Sequence, residues 1–215
     1  MEHTENTILL RGELLQLPQF SHENHHKRFF RFELSVPRLS GAVDVLPVIA
    51  EERIINSIDL SGGAMLEVQG QIRSHNSREN GVRRLLIFVF ASSITTTDDA
   101  PANDVVLQGP ICRQPNLRRT PLGREICDVM LAVPRAFKRA DYLPCILWGR
   151  TAQEISACHT SDIICIHGRL QSRVYNKMTE QVPSKTELSC KFGIFFAYYY
   201  LKEIIENAIM IVVQN

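Results

Sequence analysis

The chain repeats itself, and the repeat restricts its fold more than any other feature. At an offset of 97 residues Asn6 falls on Asn103, Gly12 on Gly109, Pro18 on Pro115, Val36-Pro37-Arg38 on Val133-Pro134-Arg135, Asp44 on Asp141 and Pro47 on Pro144. One inserted residue later the register resumes at 98, with Gly70-Gln71-Ile72-Arg73-Ser74 on Gly168-Arg169-Leu170-Gln171-Ser172. Landmarks that keep one offset across a 215-residue chain mark a duplicated domain of about 95 residues. Between the copies Ser92 to Ala102 is small and polar with one proline, the composition of a linker. The predicted organisation is a first domain at 1–92, a linker at 93–102, a second domain at 103–190 and an atypical apolar segment at 191–215.

Within each copy the apolar residues follow the two-residue period of strands. Ile8 to Gly12, Phe30 to Val36 and Leu66 to Ile72 read as strands, several of them alternating cleanly, and the second copy reads similarly. Only Ala152 to Cys158, with Thr151 as its N-cap, has a helical composition. Short strands plus one helix in about 95 residues predict a small closed barrel, of which the five-stranded OB fold is the commonest at this size. The expected fold class is all-β: two tandem five-stranded OB-fold barrels, each with at most a short helix.

With 45% apolar and 22% charged residues the chain has enough apolar surface for a core and is too apolar for wholesale disorder. Its formal net charge of +1 hides an uneven distribution. Residues 1–99 hold 10 Lys and Arg against 13 Asp and Glu, whereas residues 110–180 hold 11 against six, a density able to neutralise several phosphates. All six cysteines (Cys112, Cys127, Cys145, Cys158, Cys165 and Cys190) lie in the second copy, and none has the spacing of a zinc knuckle. No leader with a cleavage site opens the sequence, so the thiols are expected to be reduced and the protein cytoplasmic. No cofactor or metal is expected: His22, His25, His26 and His75 read as surface histidines, and no phosphate-cradling glycine loop is present. Nothing in spacing supports a nucleophile and base, so the chain is not expected to be an enzyme.

Along the second copy aromatic and basic side chains interleave: Arg135, Phe137, Lys138, Arg139, Tyr142, Trp148, Arg150, Arg169, Arg173, Tyr175 and Lys177. Unpaired bases stack on such rings for about 1–3 kcal/mol each while the cations track the backbone. The competing reading of any single ring is a barrel core residue.

Two runs in this copy, Cys145-Ile146-Leu147-Trp148-Gly149-Arg150 with the Ala-rich helix after it and Gly168-Arg169-Leu170-Gln171-Ser172-Arg173-Val174-Tyr175, resemble those of bacterial single-stranded DNA-binding proteins. The similarity runs from Asn103, through Arg119-Thr120-Pro121-Leu122-Gly123-Arg124 where that family has a glycine hairpin, to Lys177. It implies non-catalytic binding and protection of single-stranded DNA in replication, recombination or repair. The four stacking positions of the family fall on Phe137, Tyr142, Trp148 and Tyr175, and Arg119, Arg124, Arg135, Lys138, Arg150, Arg169, Arg173 and Lys177 are placed to follow phosphates. Family assemblies commonly present four barrels, so two barrels per chain imply a homodimer.

The same positions in the first copy are Ser40, Val45, Glu51 and Ser77, none aromatic. Residues 6–92 therefore read as a degenerate copy serving assembly, protein contact or stabilisation, with Arg73, Arg78, Arg83 and Arg84 leaving room for weak binding. The C-terminus departs from the family, having no acidic tail with a hydrophobic tip for partner recruitment. Phe192 to Val213 is apolar but interrupted by Lys202, Glu203, Glu206 and Asn207, too short a run for a membrane span. It reads as an interaction helix or a frame-shifted tail. Two rival functions stay open at this level: a single-stranded RNA module, and a protein scaffold of a replication or recombination complex.

Overall fold

The computed structural model describes the backbone of residues 5–79, 82–176 and 188–201, and the side chains of residues 5–78 and 84–172. The first copy contains β1 (Asn6–Leu14), β2 (Gln19–Asn24), β3 (Lys27–Pro37), β4 (Val43–Glu51), a one-turn helix α1 (Glu52–Ile55), β5 (Met65–Glu79) and β6 (Val82–Thr96). The second repeats the order with β7 (Ala102–Pro110), β8 (Asn116–Arg119), β9 (Glu125–Arg135), β10 (Arg139–Trp148), α2 (Gly149–Ser156), β11 (Ile163–Asn176) and β12 (Leu188–Leu201). Sequence alternation becomes burial directly: in β1 Asn6, Ile8, Leu10, Gly12 and Leu14 face inward while their neighbours face out.

Strand pairing builds the predicted barrel twice. In the first copy β3, β4, β6, β5 and β1 are neighbours in that order, and β1 returns to β3 through Glu13 opposite Ser35, closing five strands into a ring. The second copy follows the same order with β9, β10, β12, β11 and β7, closed by a bridge between Ile111 and Leu131. β2 and β8 are additional edge ribbons paired to β3 and β9, fully exposed along their length. Closure explains two of the repeated glycines. A Cβ on Gly12 would lie 2.6 Å from the carbonyl oxygen of Ser35, and one on Gly109 the same distance from that of Ala132. Only a residue without a side chain lets the first strand cross so close over the third.

The two barrels are continuous. β1 pairs antiparallel with β7 from Asn6 opposite Leu107 to Arg11 opposite Ala102, joining twelve described strands into one sheet. In that register Ile8 faces Val105, its own counterpart 97 residues on, so a local twofold axis relates the copies. Buried side chains of both copies, from Ile8 to Leu170, form one contiguous apolar cluster.

Four sequence expectations shift. The connection between copies is shorter than the 93–102 linker, because Ser93 to Thr96 continue β6 opposite Gln69 to Leu66 and β7 begins at Ala102; small polar residues serve a strand as well as a loop. The second-copy helix starts at Gly149 rather than at Ala152, with Trp148 and not Thr151 in the N-cap position. Gly149 takes φ of 58°, which lets the chain turn straight from β10 into the helix. The short α1 at the matching place in the first copy carried no helical signature. Finally, the second barrel extends past residue 190. β12 runs antiparallel to β11 and parallel to β10 at Cys145 opposite Ile194, as β6 does to β4 at Val48 opposite Val89. Barrel closure requires a strand there, which corrects the reading of 191–201 as part of a separate segment or an interaction helix. The remainder of that segment, with the expected absence of an acidic tip, lies outside the described residues.

Candidate nucleic-acid interface

The turn from β9 to β10 presents Phe137. Ala136-Phe137-Lys138 contains no glycine, yet Phe137 (φ 60°, ψ 39°) and Lys138 (φ 55°) both take left-handed backbone conformations. In the first copy the same turn places Gly41 at φ 83°. Holding non-glycine residues in this region costs of order 1–3 kcal/mol each, and such strain concentrates where function requires a side chain in one place. The ring it presents is 94% exposed, so core packing does not explain Phe137.

β10 carries the next two rings. Asp141, Leu143, Cys145 and Leu147 point inward, while Tyr142, Pro144, Ile146 and Trp148 occupy the outer face. Tyr142 is half exposed at 49%, and Trp148 is half-buried at the end of the strand where α2 begins. Six residues of extended chain separate the two by roughly 20 Å, with Phe137 beyond Tyr142 at the turn. Phe137, Tyr142 and Trp148 therefore lie in sequence along one edge-to-end track of the barrel surface. Tyr175 is in β11, its backbone opposite Ser189. The side chains of Tyr175 and Arg173 are outside the described residues, as is the whole of Lys177.

The predicted cations fall into two groups. Arg124, Lys138 and Arg169, and with them the neighbouring Arg139, have no ion pair among the described residues; Arg124, Lys138 and Arg139 are exposed and Arg169 is half-buried. Arg119 instead pairs with Glu125 at 3.0 Å and Arg150 with Glu154 at 2.8 Å, both on exposed surface where such pairs are weak and exchangeable. Hydrogen bonds from the Gln153 amide first and Arg119 second hold the Glu125 carboxyl below its ordinary range. Arg135 is different in kind: it reaches the fully buried Asp141 at 3.3 Å.

That carboxylate joins the copies. Asp141 accepts the backbone N–H of Ser74 at 2.7 Å and Arg73 at 3.1 Å, while Ser74 Oγ accepts the N–H of Tyr142 at 2.9 Å. The mirror arrangement holds Asp44, which accepts Arg38 at 2.7 Å and the N–H of Ser172 at 2.7 Å, with Ser172 Oγ accepting the N–H of Val45 at 3.1 Å. The part of Arg73 and Ser74 in this arrangement was not foreseen, although both lie inside the repeated run 70–74; repetition at a fixed offset was the available signal.

At the first copy's equivalents Ser40 is exposed in its turn, Val45 is 37% exposed and Ser77 is half-buried. Glu51 pairs with Lys27 at 3.1 Å and Arg53 at 3.1 Å, and the Lys27 bond above all keeps its carboxyl ionised below the usual range. A carboxylate therefore stands where the second copy has Trp148. The first copy has aromatic surface elsewhere, with Arg28 lying 5.4 Å over both Phe20 and Phe30, but Arg28 also pairs with Glu52 at 2.6 Å. The 97-residue counterparts of these three are Leu117, Glu125 and Cys127.

No disulfide joins the described cysteines, and Cys127, Cys145 and Cys158 are buried in the barrel core. Burial, with Asp128 and Cys158 adding to it, pushes the Cys127 thiol up to about 11, and burial raises Cys145 and Cys112 as well. A thiol so shifted is protonated at neutral pH and is no nucleophile. No helix among the described residues is long and apolar enough to cross a membrane.

Known proteins resemble the chain at two levels. The model of the Single-strand binding protein family matches residues 102–195. Single-stranded DNA-binding protein B of Bacillus subtilis (strain 168) is 38% identical over 80 residues, covering 34% of this chain and 71% of that protein. Single-stranded DNA-binding protein 1 of Lactococcus lactis subsp. lactis (strain IL1403) is 34% identical over 93 residues, covering 40% of this chain and 62% of that protein. The sequence likeness thus spans between about three fifths and seven tenths of these relatives, and the family match falls in the second copy. The fold likeness spans both copies: the crystal structure of the wild-type single-stranded DNA binding protein from Thermus aquaticus superposes with a TM-score of 0.73 over 95% of this chain and 97% of that one, at 19% identity. The chain belongs to the single-strand binding protein family.

Proposed function

We propose that the second copy binds single-stranded DNA without catalysis, stacking bases on Phe137, Tyr142, Trp148 and Tyr175 while Arg124, Lys138, Arg139 and Arg169 follow the backbone with Arg173 and Lys177. The observation that carries this reading is the 94% exposure of Phe137 on a strained turn, in line with the half-exposed Tyr142 and with Trp148 on the outer face of β10. An apolar ring held in water at a conformational cost has no role in folding, whereas a base stacked on it removes both faces from water. The ion-paired Arg119 and Arg150 join the track when phosphate replaces their carboxylate partners, and Arg135 supports it from below. The first copy is a barrel without a platform. The role of the whole is protection of single strands in the cytoplasm during replication, recombination or repair.

Two chains associate in this reading, bringing four barrels together, as the family resemblance implies. Sedimentation at micromolar concentration tests this: twice the chain mass of 24.5 kDa supports it and the chain mass alone dismisses it.

Trp148 is the sole tryptophan and reports on the site directly. Titration with an oligo-thymidine of about 16 nucleotides is expected to quench its fluorescence, absent in Trp148→Phe. The logarithm of affinity should fall linearly with that of salt, by about 0.7 per phosphate neutralised. Binding without a change at Trp148 would move the site elsewhere, and no binding at low salt would refute the function.

A further inference from the structure

We infer that the first copy is part of the second copy's binding face: Arg73 and Ser74 are positioning residues for Phe137 and Tyr142. The inference rests on the proposed single-strand function and assigns the degenerate barrel a role within it.

The geometry starts from Asp141, fully buried between the copies. A buried carboxylate is tolerable only when donors surround it, and here they come from both barrels: Arg135 of the second copy at 3.3 Å, and Arg73 (3.1 Å), the Ser74 N–H (2.7 Å) and the Ser74 hydroxyl (3.4 Å) of the first. The same hydroxyl then accepts the N–H of Tyr142 at 2.9 Å, using its one donor and one of its acceptor sites in a closed network. Arg135 and Asp141 flank the turn that carries Phe137, and Tyr142 follows directly. One network thus fixes both ends of the turn and the backbone of the next ring. Two of its members belong to the barrel with no platform of its own.

The chain supplies its own control. Arg38, Asp44 and Ser172 form the mirror network at the 97 and 98 offsets, but it holds Ser40 and Val45 instead of stacking rings. All members of the network but one are retained in both copies, while the groups it holds have diverged. One member differs. Position 73 is Arg, bonded to Asp141, and its counterpart is Gln171. The extra guanidinium stands on the side where the aromatic rings are, and its position is reinforced by the Phe90 ring 6.0 Å away.

Ser74→Ala, Ser172→Ala, Ser74→Thr and Arg73→Gln in the full chain test this. Affinity for oligo-thymidine and for an abasic strand of equal length is measured at several salt concentrations, alongside thermal stability. Ser74→Ala is expected to weaken oligo-thymidine binding by about threefold to tenfold, the scale of one net hydrogen bond, with an unchanged salt slope and unchanged abasic binding. Ser172→Ala should lower stability comparably and leave affinity unaltered, and Ser74→Thr should restore binding because it keeps the hydroxyl. Arg73→Gln, which copies the mirror network, should reproduce the Ser74→Ala loss and carries the test if Ser74→Ala does not fold. Equal losses from Ser74→Ala and Ser172→Ala, a loss extending to the abasic strand, or no loss at all would overturn the inference while leaving single-strand binding intact. A wild-type chain that fails to bind would instead remove the proposed function beneath it.

Discussion

Phe137 concentrates two costs in one residue, an apolar ring in water and a left-handed backbone without glycine. Their signs make the residue's role measurable. Phe137→Gly relieves the backbone strain, since glycine adopts this conformation freely, and should leave stability unchanged or raise it by about 1 kcal/mol. The same substitution should weaken oligo-thymidine binding by about 1–3 kcal/mol, the value of one stacked base. Stability is read from thermal unfolding and affinity from the Trp148 signal. A fall in stability with no loss of affinity would make Phe137 a folding residue. That exposure was invisible beforehand: alternation in sequence separates the faces of β10 but says nothing about a turn residue, for which core packing was the competing reading. Cations were legible only by type. The residue string gives Arg135 and Arg124 equal standing, whereas the fold buries a carboxylate beside the first and leaves the second exposed.

Among the elements, those with a strict two-residue period were legible and those defined by closure were not. β1, β3 and β5 appear in the sequence as alternation, and Gly12 and Gly109 appear as repeated landmarks before the close strand crossing explains them. The helix after β10 was legible by composition, but its start was not, because the strand end and the helix start share Trp148 and Gly149. β12 was obscured for another reason. Its partner hairpin is longer than that of the first copy: Ile194 lies opposite Cys145 where Val89 lies opposite Val48, so the offset of 97 no longer applies and the repeat ceases to guide the reading. The small polar end of β6 has the composition of a linker, and only its pairing with β5 makes it a strand.

For the whole molecule the repeat was the decisive signal, and its meaning is more than duplication. The landmarks that survive in both copies are those that close each barrel, Gly12 and Gly109, and those that join the two, Arg38, Asp44 and Ser74 with Arg135, Asp141 and Ser172. Asn6 and Asn103 belong to the first kind, each bonding both backbone groups of a β5 or β11 residue, Ile72 and Leu170. A chain whose copies share six paired positions between β1 and β7, two buried carboxylate networks and one apolar cluster has no weak plane along which one barrel opens alone. The described fold is therefore expected to unfold in one cooperative transition, with calorimetric and van't Hoff enthalpies equal for the chain. Asp141→Ala strips the central acceptor from Arg73, Ser74 and Arg135, a change of the class that costs about 3–5 kcal/mol, and should lower that single transition by about 10 °C. It should do so without splitting it, because the β1 to β7 pairing and the Asp44 network still join the copies. Two resolved transitions in the unsubstituted chain would show instead that the barrels fold as independent units, and the shared sheet would then be a junction without energetic weight.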